Sequence, residues 1–257
     1  MGTVRLPWKT RNSQWGKAPG APEDIQFLRG PQKRSFELWR AIRIFGEFLR
    51  GFRTLHFVGP CVTVFGSARF PETHPYYVVA RQLGARLARA GFTVMTGGGP
   101  GIMEAANRGA KEVGGRSVGC NIELPQEQAP NPYLDEWMLF RHFYVRKVML
   151  VKYSYAFVAM PGGFGTLDEI FETMVLIQTH KIKDFPMILM PSQFWNPILE
   201  AFRHTLLERG TIDAVDFGLV RVTDSPEEAI EHILKVAMSD FGLSYVPKPR
   251  KRWFFFE

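Results

Sequence analysis

Only two cysteines, Cys61 and Cys120, occur in 257 residues, and both lie in apolar runs. That scarcity excludes a disulfide scaffold, and two buried thiols in a reducing cytoplasm are expected. No apolar run approaches the ~20 residues of a membrane-spanning helix. The first residues, MGTVRLPWKTRNSQWGK, lack the apolar segment of a secretory signal, so neither membrane nor export is expected. The six histidines, His56, His74, His142, His180, His204 and His232, are scattered without the paired spacing of a zinc site, and no metal is expected. No serine or cysteine stands in a nucleophile-elbow pattern. Two nucleotide signatures are also absent. Gly97, Gly99 and Ile102 break the Gly-x-Gly-x-x-Gly spacing of NAD and FAD sites, and no Gly-x-x-x-x-Gly-Lys-Ser/Thr occurs.

A net charge of +7 raises the question of a nucleic-acid partner. Residues 1–58 hold 11 Lys and Arg against 4 Asp and Glu, and the remainder balances 21 against 21. The excess therefore belongs to an N-terminal arm, which reads as a solvated extension, and no nucleic acid is expected. With 46% apolar residues the chain can bury a substantial core. Residues 1–34, rich in Pro, Gly and basic side chains, are expected to be loosely ordered, and 241–257 form a basic and aromatic tail. Residues 35–58 read as an amphipathic helix. Glu37, Arg40, Arg43, Glu47 and Arg50 form its polar stripe, and Phe36, Leu38, Ile42, Phe45 and Leu49 its apolar face. That apolar face is expected to dock on the protein's own core or on a partner subunit.

Residues 59–240 alternate short apolar strands with amphipathic helices. CVTVF, FTVMT, SVGCNI, AFVAM, PMILM and LVRV are the predicted strands. Strands apolar along their whole length, separated by helices, imply an α/β fold: a Rossmann-like, doubly wound parallel sheet in one domain with an N-terminal helical extension. Ligands of such sheets bind beyond the carboxyl ends of the strands. Three loops there are unusual: GSAR (66–69), TGGGPGIME (96–104) and PGGFGTLDE (161–169). A tight turn also uses glycine, but three such loops at equivalent strand ends point to an anion site, because glycine lets a ligand approach the backbone and a helix start offers free N–H groups. A mononucleotide or sugar phosphate fits once dinucleotides and P-loop ligands are set aside. Thr166 is expected to cap the following helix or to donate to a phosphate oxygen. Asp168 and Glu169 are placed in that helix's first turn, where its dipole favours ionised carboxylates. Arg146 and Lys147, from the preceding helix, approach the same face.

Arg146 and Lys147 followed by PGGFGTLDE resemble the PGGxGTxxE signature of the LOG ("lonely guy") family, and GSAR and GGGPGIMEAANRGA are similar to that family's first two loops. The likeness runs from about Cys61 to Thr179. It implies a nucleoside 5′-monophosphate phosphoribohydrolase with Arg146 and Glu169 as the catalytic pair, working as a homodimer without a cofactor. Gly162, Gly163, Gly165, Thr166, Lys147, Gly98, Gly99, Ser67 and Glu123 are the expected substrate contacts, with Glu104 and Glu127 as further candidates toward ribose or base. The older label of the family, lysine decarboxylase, would need a Schiff-base lysine for pyridoxal phosphate, and no lysine stands in a recognisable context for one. Related proteins of this fold carry molybdenum cofactor, so a non-catalytic carrier is the alternative reading.

Overall fold

The computed structural model describes residues 22–123, 129–183 and 185–239. The basic tail, most of the N-terminal arm and the candidate Glu127 lie outside them. In chain order the elements are α1 (Pro22–Phe27), α2 (Arg34–Leu55), β1 (Cys61–Phe65), α3 (Pro75–Arg89), β2 (Thr93–Thr96), α4 (Ile102–Glu112), β3 (Ser117–Ile122) and β4 (Glu136–Phe140). They continue with α5 (Phe143–Tyr153), β5 (Ser154–Ala159), α6 (Phe164–Gln178), β6 (Met187–Leu189), α7 (Ser192–Phe202), β7 (Arg221–Val222) and α8 (Pro226–Ser239).

The strands form one seven-stranded sheet in the order β4-β3-β2-β1-β5-β6-β7, and every neighbouring pair is parallel. The inner strands β1, β2, β3 and β6 are buried at every position, as strands covered on both faces must be. One face packs on α3, α4 and α8 through Tyr77, Leu83, Ile102 and Ile233. The other packs on α2, α5, α6 and α7 through Leu55, Met149, Ile170 and Trp195. The doubly wound α/β architecture follows from this two-sided burial. The chain winds outward from β1 to β4, then crosses back to β5, so the order reverses between β1 and β5. A crevice opens at such a switch point, beyond the carboxyl ends of the two strands.

On the first face α3 and α4 approach closely because each places glycine at the crossing. A Cβ on Gly84 would stand 2.0 Å from the carbonyl oxygen of Ala106, and one on Gly109 would stand 1.9 Å from that of Arg81.

Three features depart from the sequence reading. Residues 22–27, assigned to the loose arm, form the short helix α1. Strand β4 lies in a proline-containing segment that carries no clear strand signal, because an edge strand buries only part of its side chains. The third concerns α2, whose polar stripe is split, two of its members turning inward while Glu37, Arg43 and Arg50 stay exposed. Arg40 and Glu47 are buried, whereas Leu38 and Phe45 are each 63% exposed. Specific partners on the protein body hold this side of the helix. Glu47 accepts the backbone N–H of Arg141 at 2.5 Å and pairs with His142 Nδ1, and Arg50 Nη2 donates to the Leu139 carbonyl at 3.0 Å. Gly51 and Leu55 continue the same stripe into the core, where Gly51 makes room for the Met149 side chain.

Candidate functional site

At the switch point the loop after β1 is tied to its two neighbours. Ser67 N–H donates to the Pro161 carbonyl at 2.9 Å, and Ile102 N–H donates to the Ser67 carbonyl at 3.0 Å. The three loops enclose a cleft of about 730 Å³. Its walls include Ser67, Gly97, Asn121, Arg146, Thr166 and Glu169, with Phe143 and Phe164 among the apolar lining.

Helix α6 begins at Phe164, two residues earlier than the sequence suggests, with Gly163 at its N-cap and no side-chain cap. Thr166 is therefore inside the first turn rather than capping it, and Glu169 stands in the second turn. The uncapped start leaves N–H groups without intrahelical partners, as every helix start does. Its glycines differ in role. Gly162 is required by packing, since a Cβ there would meet Thr166 Oγ1 at 2.0 Å. Gly163 and Gly165 have nothing within 4 Å of a Cβ, so no protein contact demands glycine at either. Open space beside an uncapped helix start suits a bound anion.

Glu169 is 2% exposed. Its Oε1 accepts from Arg146 Nη1 at 3.4 Å, and Oε2 has no hydrogen-bond partner among the described residues. Burial pushes its carboxyl above the ordinary glutamate range, opposed by the charges of Arg146 and then Lys147. Desolvation thus outweighs the ionising influence of the helix start. Arg146 does not grip the carboxylate as a fork. Its Nε donates to the Cys120 carbonyl at 2.8 Å, leaving a single contact to Glu169. Gly97 makes that pose possible: a Cβ there would lie 2.9 Å from Arg146 Nη2 and 2.8 Å from Met103 Sδ.

Several expected contacts lie outside the cleft lining. Lys147 Nζ bridges Asp168 and Glu172, each at 2.8 Å, and so fastens α5 to α6. Glu123 pairs with Arg141 at 2.7 Å, and Glu104 accepts from Tyr77 Oη at 2.9 Å. Gly98 and Gly99 hold the 129–131 segment, their carbonyls accepting from Asn131 N–H at 2.9 Å and Asn131 Nδ2 at 3.1 Å. Gly98 has φ +71°, which explains glycine there without a ligand. The cleft also holds residues that the sequence reading passed over: Asn121, Gly97, Phe143 and Phe164. For Asn121 a signal existed, a carboxamide near the end of an otherwise apolar strand.

Among the described residues no cluster of three or more His, Cys, Asp or Glu is placed to hold a metal ion, and no helix is long and apolar enough to cross a membrane. Cys61 and Cys120 are buried and free, and burial pushes both thiols up, that of Cys120 to about 12.

The chain is similar to several known proteins. A family model described as possible lysine decarboxylase matches residues 103–233. The probable cytokinin riboside 5′-monophosphate phosphoribohydrolase LOGL5 of rice is 32% identical over 154 residues, which are 59% of this chain and 62% of that protein. The chain thus spans less than two thirds of that relative. The cytokinin riboside 5′-monophosphate phosphoribohydrolase of Rhodococcoides fascians is 30% identical over 67% of this chain and 88% of its own. The pyrimidine/purine nucleotide 5′-monophosphate nucleosidase of Escherichia coli K12 is 28% identical over 63% of this chain and 39% of its own. Among solved structures, the molybdenum cofactor carrier protein of Chlamydomonas reinhardtii has a TM-score of 0.51 at 26% identity, covering 70% of this chain and 99% of that one.

Proposed function

This chain belongs to the LOG family, the one whose model bears the description possible lysine decarboxylase, and from that premise we propose that its cleft hydrolyses the N-glycosidic bond of a purine nucleoside 5′-monophosphate. The products are the free base and ribose 5-phosphate. The base is adenine or an N6-modified, cytokinin-type adenine, a reading supported by the names of the rice and Rhodococcoides fascians relatives, while the Escherichia coli relative's name covers pyrimidine and purine nucleotides.

One observation carries this reading: a buried carboxylate with a free oxygen, flanked by an arginine, stands one turn inside an uncapped, glycine-lined helix start. The helix start and the open backbone at Gly163 and Gly165 receive the 5′-phosphate. Holding the phosphate there fixes the sugar against Glu169. Breaking the glycosidic bond builds positive charge on the ribose, as in glycoside hydrolysis. An ionised Glu169 stabilises that charge and takes a proton from the attacking water. Arg146, braced on the Cys120 carbonyl, keeps the carboxylate in place and favours its ionised form.

A homodimer forms part of the proposal. Phe164, 91% exposed at the cleft, and Val175, 54% exposed further along α6, support it as candidates for a subunit contact. Sedimentation equilibrium tests this part. A cytoplasmic location goes with the reading, supported by the two free thiols.

Incubation with AMP and with N6-prenylated AMP, followed by chromatography of the free base, tests the activity. Release from neither would overturn it. The likeness to a molybdenum cofactor carrier motivates the alternative of a non-catalytic carrier, which predicts a pterin copurifying with the protein and no nucleotide turnover.

A further inference from the structure

Two buried polar atoms of the cleft lack partners among the described residues, one a donor and one an acceptor: Asn121 Nδ2 and Glu169 Oε2. Asn121 is 2% exposed near the end of β3. Its carboxamide orientation is set locally, because the Ile122 N–H donates to Asn121 Oδ1 at 2.8 Å. The oxygen is thereby engaged with the backbone, and the NH₂ group is what the cleft wall offers. Leaving such a donor unpaired in the interior costs stability, and native proteins seldom do so without a use for it.

Arg146 links the two orphans. Its Nε donates to the carbonyl of Cys120, the residue next to Asn121, and its Nη1 donates to Glu169. Asn121, Arg146 and Glu169 all line the one cleft, so donor and acceptor face the same space. A vicinal diol complements such a pair, one hydroxyl accepting from the carboxamide while its neighbour donates to the carboxylate.

We infer that Asn121 is a specificity-determining residue that binds a ribose hydroxyl, so that the cleft selects ribonucleotides over deoxyribonucleotides. The inference rests on the proposed nucleotide reading and deepens it, since the 5′-phosphate and base alone do not distinguish the two substrate classes. A buried donor built for a hydroxyl discriminates against the analogue that lacks it, because the donor then stays unpaired.

The experiment compares kcat/KM for AMP, 2′-deoxyAMP and 3′-deoxyAMP in the wild-type protein, Asn121→Leu and Asn121→Ala. Leucine approximates the shape and removes the donor. Alanine removes the donor without added bulk, which covers the case in which leucine fails to fold. With 3′-deoxyAMP as the control for the neighbouring hydroxyl, the wild type prefers AMP over 2′-deoxyAMP. The variants lose roughly tenfold on AMP, the worth of one hydrogen bond, and lose little on that analogue, so the ratio collapses toward one. Equal losses on AMP and on both analogues would assign Asn121 to the base or phosphate and overturn the inference, as would a wild type indifferent to the sugar. If the wild type turns over no nucleotide, the proposed reaction falls. Calorimetric affinities for ribose 5-phosphate and 2-deoxyribose 5-phosphate then decide the inference separately. A ribose preference abolished in the variants supports it, and equal affinity in the wild type overturns it.

Discussion

Glu47 of α2 and His142 at the head of α5 meet side chain to side chain in a contact that leaves each about 5% exposed. The N-terminal extension thereby holds the helix that carries Arg146, four residues beyond His142. Glu47→Ala strips an acceptor from both His142 and the Arg141 N–H. It is expected to cost about 2–4 kcal/mol, the range for a broken buried polar pair. Urea denaturation followed by circular dichroism measures it, and a change under 1 kcal/mol would show that α2 is only appended.

Glu169→Gln is expected to lower kcat by about 10²-fold or more, the usual worth of a general base. The same change should stabilise the fold at neutral pH. A carboxyl whose folded pKa is raised by burial contributes its stability below the unfolded value and loses it as pH rises through the folded one. The advantage of the glutamine variant therefore shrinks toward zero on acidification. Thermal melts across the acidic range report it, and a constant difference would contradict it.

The acid limb of the kcat/KM profile should lie above the ordinary glutamate range, since activity needs the ionised carboxylate. Arg146 lowers that value, so Arg146→Ala moves the limb further toward neutral while reducing activity at every pH. Arg146→Lys restores charge but cannot supply two separated donors to Cys120 and Glu169, so it recovers the limb more than the rate.

Two alanine substitutions at glycine should separate packing from ligand binding. Gly84→Ala drives a methyl against the Ala106 carbonyl and is expected to cost about 2–3 kcal/mol. Gly165→Ala meets no protein atom and should leave the melting temperature within a few degrees. If the phosphate approaches that backbone, the second variant raises KM for AMP about tenfold, equivalent to about 1.4 kcal/mol. Unchanged KM would place the phosphate elsewhere.

Most of the fold was legible because buried parallel strands announce themselves as short apolar runs between helical patterns. Strand β4 was not, since an edge strand half open to solvent shows no such run. The inward turn of Arg40 and Glu47 was hidden for a different reason. Periodicity identifies which stripe is apolar but not which is buried, and the partners of Glu47 lie more than ninety residues away. At the site, a motif placed Arg146 and Glu169 on neighbouring elements, and the structure brings them together in one cleft. Adjacency to the motif did not tell direction. Lys147 follows Arg146 by one residue, about 100° around the helix, and reaches Asp168 and Glu172 instead.

The space left at Gly97 is occupied by the guanidinium of Arg146 and the sulfur of Met103. A side chain at position 97 would crowd the far ends of both and press on the arginine's pose. The reach of Arg146 toward Glu169 is thus set in part by an atom that position 97 does not carry.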